Sequence, residues 1–317
     1  MGDTIRVGIL GYGNLGKGVE QAIQRNPDFS LVTIFDKRQE NQIEAMEAYV
    51  GKIDFMLMCI GSSVDLPLQG PKVAGLFNTI DSFDTHAKIP EYFASMDAAA
   101  RQADTIAMLS TGWDPGLFSL MRALMDAALP GGKTNTFWGW GVSQGHGEAI
   151  KRLPGARVAR AYTIPIETTL KAARAGDRTD FTPRQMHKRA CFVVPEEGAD
   201  LESLRQQIVD LPNYFAPNET SVTFIDMETF IREHDTLPHG GHVIRAGDTG
   251  PQADGQFMEF SLRLASNPGF TASMMLCFCR AAWRMRQEGR RGAITVYDVP
   301  IGYLSPKEGH VLREELL

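Results

Sequence analysis

The sequence predicts an α/β protein, with a doubly wound parallel sheet at its amino end followed by an α+β domain with a mixed sheet. Three observations carry this expectation. Ile5, Val7 and Ile9 are β-formers that lead into Gly11-x-Gly13-x-x-Gly16, after which Leu15, Val19, Ala22 and Ile23 recur at helical spacing. Short apolar runs bounded by polar or glycine-containing loops then follow, as strands buried on both faces require. Beyond Pro115 the pattern changes to several β-rich stretches interrupted by helical ones.

The first motif reads as strand, tight turn and helix, the opening of a Rossmann-type domain. Gly11 permits the turn, Gly13 lets a pyrophosphate approach the backbone, and Gly16 lets the helix lie close on the strand. The amides of the helix start hold the phosphate charge, so Gly11, Tyr12, Gly13, Asn14, Leu15 and Gly16 form the expected cofactor loop. A second strand, Leu31 to Phe35, ends at Asp36-Lys37-Arg38, where such a fold tests the adenine ribose. Two cations beside one acid favour the 2′-phosphate of NADP, while Asp36 keeps NAD open. The run from Phe55 to Ile60 reads as a buried strand, with Cys59, Gly61, Ser62 and Ser63 at the carboxyl end where ligands sit in open sheets. Phe77 to Ile80 and Thr105 to Leu109 are two further strands, separated by a helix from about Pro90 to Ala103. Residues 1–115 are the expected dinucleotide-binding domain.

Residues 116–269 are the expected substrate-binding and dimerisation domain, and the segment from about 270 to 317 is expected to pack back on the first. Gly116 to Leu129 reads as helix, and Pro130-Gly131-Gly132 breaks it. Strands near Thr136–Trp138, Tyr162–Ile166, Cys191–Val194, Val222–Ile225, His242–Arg245 and Phe257–Leu264 are assigned to one mixed sheet, with a helix from Leu201 to Asp210 on one face. A late helix runs from Thr271 to about Gln287. The chain of 317 residues is 43% hydrophobic and 22% charged, ordinary for a soluble protein, and its net charge of -6 argues against a nucleic-acid surface. Without a signal-like start or a bilayer-length apolar run, a cytoplasmic location is expected. Cys59, Cys191, Cys277 and Cys279 are read as buried thiols rather than a disulfide or zinc framework.

Chemistry is expected at two loops after the late strands, residues 81–86 and 111–116. Asp114 stands immediately before a proline, which reads as a helix N-cap and is compatible with a chemical role. Asp84 precedes its helix by several residues, so capping explains it less well. The glycines around Trp113 predict a constrained loop with the indole displayed. In the second domain, residues 137–146 are dense in glycine, aromatics and hydrogen-bonding side chains. His187-Lys188-Arg189 and Pro238-His239-Gly240-Gly241-His242 are read as anion or polar-ligand binders. No metal is assigned, because no acidic or cysteine partner for His239 and His242 is evident.

Gly-Tyr-Gly-Asn-Leu-Gly at 11–16, Ser-Thr-Gly-Trp-Asp-Pro-Gly at 110–116, Phe-Trp-Gly at 137–139, Ser-Gln-Gly-His at 143–146, His-Lys-Arg-x-Cys-Phe at 187–192 and Pro-His-Gly-Gly-His at 238–242 together resemble the meso-diaminopimelate dehydrogenase family. Asn267-Pro268 followed by Phe270-Thr271-Ala272-Ser273 adds to the likeness, which spans nearly the whole chain. The resemblance implies NADP-dependent oxidative deamination at the D-centre of meso-2,6-diaminopimelate by a homodimer. It places Asp84, Trp113 and Asp114 around the reacting centre. Trp138, Gln144 and Gly145 shape the pocket, and Thr163, Arg189, His239 and Asn267 hold the distal L-amino-acid end. The residue types agree with these roles. Oxidising an amine needs a carboxylate near the ammonium, as Asp84 or Asp114 supplies, and an arginine grips a carboxylate with two parallel bonds.

Overall fold

In a computed structural model describing residues 4–36, 42–212 and 214–317, strand β1 (Ile5–Leu10) is followed by a helix at Asn14–Ile23 and by β2 (Phe29–Phe35). The pattern continues through β3 (Phe55–Met58), a helix at Asp65–Ala74, β4 (Asn78–Asp81), a helix at Ile89–Gln102, β5 (Ile106–Met108) and a helix at Leu117–Ala128. β2 starts two residues before the expected Leu31, because Phe29 is buried and pairs with Ile5.

The chain then enters a second compact unit, Met121–Asn267. Its strands are β6 (Lys133–Trp138), β7 (Gly141–Val142), β8 (Ala156–Pro165), β9 (His187–Pro195), β10 (Glu219–Phe224), β11 (His239–Thr249) and β12 (Asp254–Leu264). These do not form the one sheet expected. β10-β9-β8-β7 is a mixed sheet in which only β10 and β9 run parallel, and β12-β11-β6 is a separate antiparallel sheet. The division falls where the backbone turns after Trp138: β6 ends on β11, and after two intervening residues β7 pairs with β8. The helix at Leu201–Val209 packs Leu204 and Ile208 onto Ala159, Cys191, Val193 and Val222 of the mixed sheet. Asp200 caps it, its carboxylate accepting from the amides of Glu202 and Ser203.

The remaining residues complete the first unit, which consists of Met1–Leu120 and Pro268–Leu317. A helix at Asn267–Gln287 leads to β13 (Gly292–Ile294), a three-residue strand that the sequence pattern did not reveal. β13 pairs in parallel with β5 and gives a six-stranded sheet of order β13-β5-β4-β3-β1-β2. The strand order reverses between β2 and β3 on either side of β1, which is the switch point of a doubly wound sheet. Both faces are covered. Phe55 and Leu57 join Val7, Ile9 and Ile80 under the helices at 14–23 and 267–287, whereas Met56 and Met58 join Leu10, Phe77 and Met96 on the opposite face. That alternation explains why these strands read as continuous apolar runs.

Arg280, 2% exposed, fastens the returning segment to the start of β2. Its guanidinium donates to both carboxylate oxygens of Asp28, to Asn26 Oδ1 at 3.0 Å and to the Leu304 carbonyl at 2.8 Å, and it lies 5.2 Å from the Phe29 ring centroid. Removing one partner of such a buried pair strands the other. Arg280→Met is therefore expected to cost about 3–5 kcal/mol, read as a lower urea midpoint. Arg286→Met, at an exposed pair with Asp104, should cost about 0–1 kcal/mol. Equal shifts for the two variants would show that the Arg280 network does not hold the segment.

Candidate active site

The expected cofactor residues other than Lys37 and Arg38 gather along one edge of the six-stranded sheet, at the carboxyl ends of three adjacent strands. Gly11 leaves β1 with φ +93°, its amide donating to the Phe35 carbonyl of β2 at 2.8 Å. A β-carbon there would lie 2.8 Å from the Cys59 carbonyl oxygen, so residues 11 and 59 meet closely across β1 and β3. A β-carbon on Gly16 would stand 2.1 Å from the Gly11 carbonyl oxygen. Above Gly13, by contrast, nothing among the described residues lies within 4 Å of an added β-carbon, and none of their side chains caps the helix that starts at Asn14. Open space at Gly13, at the start of a helix, fits a pyrophosphate. Tyr12 donates its hydroxyl to Glu20 at 2.5 Å, and Leu15 packs partly into the core.

Asp36 follows β2 and is half-buried; Lys37 and Arg38 lie outside the described residues. Gly61 donates to Asp65 Oδ2 at 3.3 Å, Ser62 Oγ accepts from the Asp84 amide at 2.9 Å, and Ser63 is exposed beside them. The loop after β3 is thereby joined to the one carrying Asp84. The cysteines divide: Cys191 and Cys279 are buried, whereas Cys59 and Cys277 are partly exposed, against the expectation of four buried thiols.

Asp84 is exposed in the loop after β4, and Asp114 is half-buried in the loop after the neighbouring β5. Asp114 is not the N-cap that its sequence position suggested. The helix begins at Leu117, because the amides of Leu117 and Phe118 are taken by the carbonyls of Gly112 and Trp113 and Gly116 accepts the first helical bond, from Leu120. Trp113 is likewise not displayed. It is 7% exposed and packs edge-to-face on Phe118 with centroids 5.2 Å apart, so its indole forms a wall of the loop.

In the second unit two of the candidates meet directly. Thr163 of β8 and Arg189 of β9 are register partners, and Arg189 Nη1 donates to Thr163 Oγ1. Arg189 Nε is sealed from solvent without an acceptor, and among the described residues no carboxylate pairs with this guanidinium. The charge acts on its neighbours. Burial, with Arg189 nearby, pushes both His146 and His187 down to about 4, leaving them neutral. His187 Nε2 accepts the Trp138 amide at 2.9 Å, and the two rings lie 5.3 Å apart, so a neutral histidine fixes the turn after β6. His146 Nδ1 lies 2.6 Å from Ser143 Oγ, at the start of the helix Gln144–Lys151 whose first residues, Gln144 and Gly145, are exposed.

His239 begins β11, is 9% exposed and accepts the Gly240 amide at Nδ1. A β-carbon on Gly141 would lie 2.4 Å from its ring. Asn267 donates its amide to the Leu237 carbonyl at 2.8 Å, just before β11. His242 departs from the sequence reading, for it has an acidic partner: Glu259 at 2.9 Å on β12. Arg174 also binds Glu259 and pulls its carboxyl down to about 2. His146 was given no role of its own from the sequence, and His187, read there with Lys188 and Arg189 as an anion or polar-ligand binder, is instead the acceptor of the Trp138 amide.

An open glycine cradle at the switch point of a doubly wound sheet, with acid-bearing loops on the next two strands, defines a dehydrogenase of the dinucleotide-binding class. Residues 112–266 match the family described as the diaminopimelic acid dehydrogenase C-terminal domain. The chain is 50% identical to meso-diaminopimelate D-dehydrogenase of Lysinibacillus sphaericus over 99% of both chains. It superposes with a TM-score of 0.94 on the C. glutamicum DAP dehydrogenase in complex with DAP, at 43% identity over 100% of both chains. An engineered D-amino acid dehydrogenase bound to NADP+ gives 0.90 at 42% identity, covering 99% of this chain and 100% of the other. The chain belongs to the meso-diaminopimelate D-dehydrogenase family.

The neutral state of His187 has a measurable consequence. Its ordinary value is 6.5 and its native value about 4, so between these pH values the unfolded chain binds a proton that the native chain refuses. Native stability is lost as pH falls through this window. His187→Gln escapes the loss, so the destabilisation it shows at pH 7 should shrink by about 2 kcal/mol at pH 5, in urea titrations at both pH values. An unchanged gap would mean that native His187 takes up the proton freely.

Proposed function

We propose that the protein catalyses the NADP-dependent oxidative deamination of meso-2,6-diaminopimelate at its D-centre, giving L-2-amino-6-oxopimelate, ammonia and NADPH, reversibly. Arg189 carries the reading. A half-buried guanidinium that pairs with no carboxylate among the described residues, its Nε finding no acceptor among them, is costly unless an anionic ligand completes it. The carboxylate of an amino-acid end does so with two parallel bonds, and Thr163 orients the guanidinium for it. His239 and Asn267 are assigned to the same distal end, and Trp138, Gln144 and Gly145 to the pocket wall. The relatives support the substrate and the cofactor: one was solved in complex with DAP and another bound to NADP+.

In this reading the first unit binds the dinucleotide, with the residue 11–16 loop at the pyrophosphate, Asp36, Lys37 and Arg38 at the adenine ribose, and Cys59, Gly61, Ser62 and Ser63 along the neighbouring edge. NADP, when bound, accepts the hydride. Hydride leaves Cα only when the nitrogen lone pair is free to form the C=N bond, so the ammonium must first lose a proton. Asp114 takes that proton, and Asp84 orients the amine beside the Trp113 wall. Water then adds to the iminium, and loss of ammonia leaves the ketone carbon of the 2-oxo acid. Holding the distal end decides which Cα presents its hydrogen, so stereochemical choice rests on Arg189 and its companions. The resemblance also carries a homodimer, built through the second unit, and a cytoplasmic location. Among the described residues no helix is long and apolar enough to cross a membrane.

The direct test follows NADPH absorbance with meso-diaminopimelate and with D-lysine, which keeps the reacting centre and lacks the distal carboxylate. Loss of one charge-assisted grip should lower kcat/KM for D-lysine by about 10–150-fold, corresponding to about 1.5–3 kcal/mol. Comparable values would reject the assignment of Arg189. Asp114→Asn keeps shape and removes charge. We expect it to melt within a few degrees of the parent and to bind NADP, while kcat falls by about 10²–10⁴-fold. Near-parent kcat would move the proton acceptor to Asp84.

A further inference from the structure

Asp81, the last residue of β4, is fully buried and has no part in the chemistry above. Its Oδ1 accepts the amides of Phe83 at 2.9 Å and Ser110 at 3.0 Å, and its Oδ2 accepts the Tyr92 hydroxyl at 2.9 Å. The Asp81 carbonyl accepts both the amide of Thr111 at 2.8 Å and its hydroxyl at 2.7 Å. Phe83 immediately precedes Asp84, while Ser110 and Thr111 open the loop that carries Trp113 and Asp114. Tyr92, from the helix at 89–102, stacks on Phe83 with centroids 4.3 Å apart. One residue thus holds the starts of both acid-bearing loops and ties them to a helix.

We propose that Asp81 is a positioning residue that fixes the Asp84 loop against the Asp114 loop, setting the spacing of the two carboxylates that serve the reacting centre. The inference rests on the roles proposed for Asp84 and Asp114. Burial pushes the Asp81 carboxyl up to about 6, against the pull of its amide and tyrosine donors. The clamp is nevertheless the same in either protonation state. When protonated, Asp81 donates from Oδ2 to the tyrosine oxygen, and Oδ1 keeps both amides. Asparagine reproduces that neutral arrangement, its carbonyl holding the amides and its NH₂ reaching Tyr92. Alanine leaves two amides and a hydroxyl without acceptors.

The experiment compares the parent with Asp81→Ala, Asp81→Asn and Thr111→Val by hydrogen–deuterium exchange, NADP+ titration and steady-state kinetics. Asp81→Ala should speed exchange about tenfold or more in peptides covering residues 82–88 and 109–116 together. Its kcat should fall at least about tenfold, with KM for meso-diaminopimelate and affinity for NADP+ near the parent values. Asp81→Asn should restore both exchange and kcat. Thr111→Val should loosen 109–116 alone and lower kcat less. Parent-like kcat in a folded Asp81→Ala protein overturns the proposal, as does an Asp81→Asn protein as slow as Asp81→Ala. If Asp81→Ala does not fold, Thr111→Val decides, and parent-like exchange and kcat in that variant count against the clamp. Were the parent inactive on diaminopimelate, the exchange measurements would still read the clamp, so failure of the substrate assignment and failure of this inference remain separable.

Discussion

A β-carbon on Gly16 would stand 2.1 Å from the Gly11 carbonyl oxygen, a separation no side chain survives, and this close approach lays the first helix directly over the end of β1. From that contact follows the direction of the helix-start amides toward the carboxyl edge of the sheet. β2 and β3 flank β1 and bring Asp36 and the residue 59–63 loop to the same edge. β4 and β5 continue it with the acid-bearing loops. Because both faces of the sheet are sealed by apolar side chains, this edge is where polar chemistry gathers.

Elements defined by local pattern were readable from the chain. The glycine motif, the apolar run at Phe55 and the helix around Met96 each declare themselves within a dozen residues. Features decided by pairing were not. β13 is three residues long and becomes a strand only because β5 offers an edge to Ala293. The division into two sheets depends on which strands β6 and β7 choose as partners. The Asp114 cap reading rested on a sound local rule, Asp before Pro, which was overridden when the Gly112 and Trp113 carbonyls took the amides that a cap would have served. His242 and Glu259 meet across two antiparallel strands, a relation that spacing along one strand does not show.

The candidate site divides in the same way. The residues proposed to face ligand stood in recognisable motifs, whereas the supporting contacts, His187 behind Trp138 and Asp81 behind two loops, are visible only once strands are in register. The two supporting groups differ in kind. His187 must stay neutral to accept an amide beside a buried guanidinium, so its surroundings select one protonation state. Asp81 makes the same contacts in either state, so its surroundings select a shape.

The first unit is assembled from the two ends of the chain, with the whole of the second unit emerging between them. During synthesis β1 to β5 leave the ribosome long before the helix at 267–287 that covers one of their faces and before β13 that closes their edge. Val7, Ile9 and Leu57 therefore wait with only the helix at 14–23 to cover them while the second unit, contiguous in sequence, already has all its strands. The order of manufacture is thus the reverse of the order of the domains: the half that begins the chain is the half completed last, and Arg280 clasps it shut.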